Sequence, residues 1–181
     1  MTKIRLLYII GIYLTSVIAV AENYTLNPGD QIHISVWGEE NLQQDVLILP
    51  DGTISFPLVG VLPVAGQTLN QLHATLTRKL QAYVPEATVT VTVTATSGNL
   101  VYIIGKVANP GTYTLNRPTD VLQALSLAGG LARFAKESEI RIIRRNKQRQ
   151  TAIQFDYQSV INGDNLDTNI LLKSGDTIVV P

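Results

Sequence analysis

The sequence predicts an α+β protein built from two small mixed-sheet domains, each with one helix. Three observations carry that reading. Apolar residues recur at period two in several short runs, each half holds one run at helical spacing, and strands and a helix follow in similar order on both sides of Ser97-Gly98-Asn99. The expected division is a leader at 1–21, a first domain at 22–97 and a second at 98–181.

The leader rests on three parts. Lys3 and Arg5 precede an apolar run from Leu6 to Val20, and Ala19-Val20-Ala21 supplies the small residues of a secretory cleavage site. That run is shorter than the roughly 20 residues a membrane-spanning helix needs, so cleavage after Ala21 is expected rather than a retained anchor. The mature chain then carries 12 basic and 14 acidic side chains.

In the first domain, Gln31 to Trp37 alternates, with Ile32, Ile34 and Val36 on one side, and predicts a half-buried strand. Pro28-Gly29-Asp30 is the turn that feeds it. Asp45 to Leu49, Pro50-Asp51-Gly52 and Thr53 to Leu58 predict strand, tight turn and strand, because Asp-Gly accepts the positive φ of a hairpin turn. Thr68 with Gln71 makes a capping box, and Leu69, Leu72, Leu76, Leu80 and Tyr83 predict an amphipathic helix ending before Pro85. Thr88 to Thr96 alternates threonine with Val89, Val91, Val93 and Ala95, a strand whose threonine face is either wet or an interface between copies.

The second domain repeats the grammar. Leu100 to Ile104 is a strand, and Gly105 to Tyr113 carries the turn Pro110-Gly111. A helix from about Thr119 to Ala128 ends on Gly129-Gly130. Glu139 to Arg145 and Gln150 to Phe155 are strands joined at Asn146-Lys147-Gln148, followed by a loop near Gly163-Asp164 and a final strand, Thr177 to Val180. Ser174-Gly175-Asp176 before that last strand echoes Pro28-Gly29-Asp30.

Composition narrows the chemistry. The 181 residues are 45% hydrophobic, with 14 basic and 14 acidic side chains and no cysteine. Such a chain has enough apolar surface to fold, and it lacks disulfides, thiolate ligands, a cysteine nucleophile and a cysteine to lipidate. Charge balance gives no field to gather nucleic acid, so no nucleic-acid partner is expected. His33 and His73 lack companions at metal-ligand spacing and read as structural. Asp30, Asp51, Asp164 and Asp176 each adjoin a glycine, which turns require. Glu39-Glu40 reads as a solvated loop, and no nucleophile elbow or phosphate loop occurs. No catalytic residue, metal or cofactor is expected.

The charge asymmetry is a cluster at a hairpin tip: Arg141, Arg144, Arg145, Lys147 and Arg149. A solvated hairpin explains it, and so does contact with an anionic glycan, an acidic partner surface or lipid headgroups. Sequence does not separate these.

Tyr24 to Val36, then Asp51 to Gly60, then Val64-Ala65-Gly66-Gln67-Thr68 with the leucine-spaced helix and the valine-rich strand, resemble the Wza-like polysaccharide export proteins of bacterial envelopes. Val101 to Val107, Asn109 to Tyr113 and Ala124 to Gly130 are similar to the soluble-ligand-binding β-grasp (SLBB) domain that accompanies it, which makes the second domain β-grasp-like. The resemblance implies a non-enzymatic, oligomeric periplasmic adaptor in capsular or extracellular polysaccharide export. It further implies polysaccharide as cargo, an inner-membrane co-polymerase as partner, and association with the outer membrane through partners. A short member without a lipidation cysteine or C-terminal amphipathic helix would be expected to use a separate outer-membrane β-barrel or a longer relative. The alternative is a periplasmic module that binds a glycan or another soluble ligand and transports nothing.

Overall fold

The computed structural model describes residues 24–146 and 149–181. The leader expected at 1–21 and Lys147 therefore lie outside the described residues. Two hydrophobic cores form, one from Leu26 to Val89 and one from Val101 to Val180.

The first core is roofed by strands β1 (Gln31–Val36), β2 (Glu39–Leu47) and β5 (Val89–Ala95), antiparallel throughout and ordered β2-β1-β5. Period-two alternation sends Ile32, Ile34 and Val36 inward, each fully buried. Helix α1 (Leu69–Leu80) packs below, with Leu72, Leu76 and Leu80 at 0% exposure. Its capping box is formed: Thr68 Oγ1 accepts from Gln71 N and Gln71 Oε1 from Thr68 N. Tyr83 falls beyond the last helical residue and stays exposed, so the helical spacing does not extend to it.

The hairpin expected around Asp51-Gly52 is corrected in one respect. The tight turn is present, with Gly52 at φ +81° and its N–H bonded to Leu49 O, but the strands on its two sides do not pair. Strand β2 lies against β1, while β3 (Thr53–Phe56) turns back on β4 (Gly60–Pro63) as a separate two-stranded sheet. One bond crosses the base of the turn, from Leu49 N to Thr53 O, while Ile48 N on Asp30 O and Gly29 N on Ile48 O continue the pairing along the β1 side. Glu39 and Glu40 are likewise the exposed start of β2 and not a loop.

The second core lies under a five-stranded mixed sheet. Its strands are β6 (Leu100–Gly105), β7 (Gly111–Thr114), β8 (Ile140–Asn146), β9 (Arg149–Phe155) and β10 (Thr177–Val180), ordered β7-β6-β10-β8-β9. Strands β6 and β10, first and last in this unit, run parallel at the centre, which is the β-grasp arrangement. Helix α2 (Val121–Leu127) covers the inner face through Val121, Ala124 and Leu125. It stops in a Schellman motif, with Gly130 N on Leu125 O and Gly129 N on Ser126 O. This unit holds more than the one helix expected: α3 (Tyr157–Ile161), capped by Asp156, and a short 3-10 turn (Leu166–Thr168) occupy the stretch expected to be a loop. No helix among the described residues is long and apolar enough to cross a membrane.

Candidate functional site

Two carboxylates are buried among the described residues, and they are the two members of the sequence echo, Asp30 and Asp176. Each closes the same turn. Asp30 Oδ2 accepts from Asn27 N while Asp30 N donates to Asn27 O; Asp176 Oδ2 accepts from Lys173 N while Asp176 N donates to Lys173 O. The glycine before each carboxylate has positive φ, +94° at Gly29 and +86° at Gly175, and Gly29 N donates to Ile48 O, just past β2, as Gly175 N does to Leu100 O of β6.

The remaining acceptor capacity is used differently. Asp30 Oδ1 takes Gly98 N at 2.9 Å, and Oδ2 also takes the Tyr24 hydroxyl. Burial, followed by the Asp30 carboxylate, pushes the Tyr24 phenol above the ordinary tyrosine range. Asp176 faces a guanidinium instead: Arg144 Nε and Nη2 reach it at 2.9 and 2.6 Å, and Arg144 Nη2 also donates to Leu171 O.

Both turns close on the linker between the two cores. Gly98 N is held by Asp30, and Gly98 O accepts from Ser174 Oγ at 2.8 Å. A Cβ at Gly98 would stand 2.1 Å from Pro28 O, so only glycine fits this crossing. Thr96 Oγ1 donates to Asn116 Oδ1 across the same joint.

The basic cluster is not one surface. Arg144 points to the buried carboxylate and holds up the hairpin, which removes it from the set of outward contacts. Arg141 and Arg145 lie on the opposite, open face, because β8 alternates and Ile140 and Ile142 are its buried positions. Arg149 is exposed at the far end of the hairpin, and Lys147 is outside the described residues.

Other expected turn residues fall at reversals. Asp51 Oδ1 accepts from both N and Oγ1 of Thr53, an Asx turn that holds its carboxyl below the usual carboxylate range. Pro110 precedes β7, which opens on Gly111. The histidines are not core filling: His33 Nδ1 meets Asp45 Oδ1 at 2.9 Å on the outer face of β1 and β2, and His73 Nε2 meets Val89 O at 3.0 Å. Among the described residues, no group of three or more His, Asp or Glu side chains is arranged to hold a metal.

A shallow groove of about 490 Å³ opens on the outer face of the five-stranded sheet, lined by Tyr102, Ile143, Arg145, Gln150, Ser174 and Thr177. Of these, Arg145 belongs to the basic cluster and Ser174 to the turn echo. A second hollow, about 340 Å³, lies at the joint against Thr94, Thr96, Thr114 and Asn116.

Comparison with known proteins agrees with the two cores. A family of polysaccharide biosynthesis/export proteins matches residues 18–94, and the SLBB domain matches residues 99–180. The chain is 29% identical over 188 residues to the EPS I polysaccharide export outer membrane protein EpsA of Ralstonia nicotianae, covering 90% of this chain and 48% of EpsA. It is 32% identical over 160 residues to the polysialic acid transport protein KpsD of Escherichia coli, covering 87% of this chain and 28% of KpsD. It is 30% identical over 131 residues to the exopolysaccharide production protein ExoF of Rhizobium meliloti, covering 64% of this chain and 30% of ExoF. The chain thus spans about half the length of EpsA and less than a third of the other two.

Proposed function

The chain belongs to the Wza-like polysaccharide export family, and from that premise we propose that it serves polysaccharide export as a periplasmic, oligomeric adaptor. The observation that carries the reading is the order of the two matches, export domain then SLBB domain, on either side of Gly98. The division at 22–97 and 98–181 is part of the proposal, supported by a separate hydrophobic core in each half.

In this reading the chain performs no bond chemistry and its work is geometric. The Asp30 and Ser174 hydrogen bonds to Gly98 tie the two units to the linker, so that copies assembled side by side would present them in one orientation. The partners called for are further copies of the chain, an inner-membrane co-polymerase, and an outer-membrane barrel or longer relative, with polysaccharide as cargo. The Thr90, Thr92 and Thr94 row on edge strand β5 is exposed and offers hydroxyl groups, without charge, to a neighbouring copy or to passing sugar.

Cross-linking in cells that are making polymer tests this. The chain is expected in complexes of several copies that carry co-polymerase and polymer. A chain recovered only as a monomer, with neither, would overturn the adaptor reading.

A further inference from the structure

We propose that the open face of the five-stranded sheet binds a carboxylate-bearing sugar residue in the groove between Tyr102 and Arg145; this rests on the export reading for its choice of ligand class.

The groove is built by register. Thr177 on β10 stands between Tyr102 on β6 and Ile143 on β8, and all three side chains leave the sheet on the face opposite the core. Strand β10 begins at Thr177, whereas the β8–β9 hairpin runs on, so the cross-strand pair Arg145 and Gln150 overhangs the 173–176 turn and walls the groove. Arg144, one residue away, is drawn to Asp176 on the inner side, which anchors the hairpin that presents Arg145.

Each group suits part of an acidic pyranose. The half-exposed Tyr102 ring offers a flat apolar surface to the C–H face of a sugar ring. The Gln150 amide and the Thr177 hydroxyl supply short-range donors and acceptors for sugar hydroxyls, and the Ser174 hydroxyl, whose proton goes to Gly98 O, supplies an acceptor. Arg145 supplies a planar fork matched to a carboxylate. No Asp or Glu lines the groove, and among the described residues no ion pair is made by Arg145. A single lining cation fits one carboxylate per sugar residue better than the repeated charges of a nucleic-acid backbone. The volume of about 490 Å³ lies within the range of small-molecule sites.

Calorimetric titration of the exported chain with tetragalacturonate, and with neutral maltotetraose, tests the proposal. Saturable binding of the acidic oligomer is expected, about tenfold tighter than the neutral one, since a hydrogen bond to a charged group contributes roughly that much. Arg145→Gln is expected to abolish the preference with an unchanged melting temperature, and Tyr102→Ala to weaken both oligomers. Absence of saturation, or an unchanged preference in Arg145→Gln, would overturn the proposal. A variant that loses a protein partner when the chain binds neither oligomer would overturn it in favour of a protein contact. Failure here is separable from failure of the export reading. A strain lacking the chain that still secretes polymer counts against export and leaves the titration intact, and a silent titration leaves the secretion result intact.

Discussion

The turns at 27–30 and 173–176 have the same reciprocal hydrogen bonds and the same buried aspartate, yet they perform different mechanical tasks. The first spends its second oxygen on backbone N–H of Gly98 and so fastens a unit to the linker. The second grips Arg144 and so braces the overhanging end of the β8–β9 hairpin, leaving contact with the linker to Ser174. What distinguishes them is the charge of the donor: neutral groups around Asp30, a guanidinium at Asp176. A turn that must bury a carboxylate can therefore be reused wherever a donor arrives from elsewhere in the chain, and the donor decides what is joined.

The largest way to break the comparison is Arg144→Glu. It sets a second carboxylate against buried Asp176, and breaking a buried pair costs about 3–5 kcal/mol. Urea unfolding should show that loss, while Arg145→Glu, on the open face, should stay within about 0.5 kcal/mol of the parent. Equal losses would mean that the two arginines are not divided between the faces.

Gly98→Ala comes next. Its Cβ meets Pro28 O at 2.1 Å, and relieving such overpacking costs about 1–3 kcal/mol, read as a lower melting temperature. An unchanged melt would show that the linker does not run this close to the first turn.

Tyr24→Phe is smaller, about 1 kcal/mol for one lost hydrogen bond to Asp30. It also changes the alkaline limb. The folded phenol titrates above the unfolded one, so its contribution is complete below about pH 10 and falls as pH rises further, because the unfolded chain loses that proton first. Stability of the parent should decline more steeply above pH 10 than that of Tyr24→Phe; parallel curves would remove the Tyr24–Asp30 bond from the account.

Smallest is Thr68→Ala, a lost cap worth about 1 kcal/mol or less in denaturant unfolding, and one expected to leave both turns untouched.

Much of the fold was legible because local patterns decide it. Ile32, Ile34 and Val36 need only a pleat, and Leu72, Leu76 and Leu80 need only a helix, to meet one core. Pairing was not legible at β2, since Pro50-Asp51-Gly52 says where the chain reverses and nothing about which strand it lies against. The same error hid the His33–Asp45 contact, which follows from the β1–β2 register. Asp30 and Asp176 read as turn residues, and their burial was hidden because the donors stand 68 and 32 residues away. The groove draws on four strands and a turn, so no contiguous motif marks it. Strand parity alone, however, puts Arg144 and Arg145 on opposite faces of β8.

The role in export is tested most directly by polymer secreted from a strain lacking the chain, compared with the same strain given residues 1–181 back, with lipid-linked and periplasmic intermediates followed in both. Secretion should fall while intermediates persist, and should return with the chain; unchanged secretion, with no redundant relative present, would contradict the export role and leave a periplasmic ligand-binding module in its place.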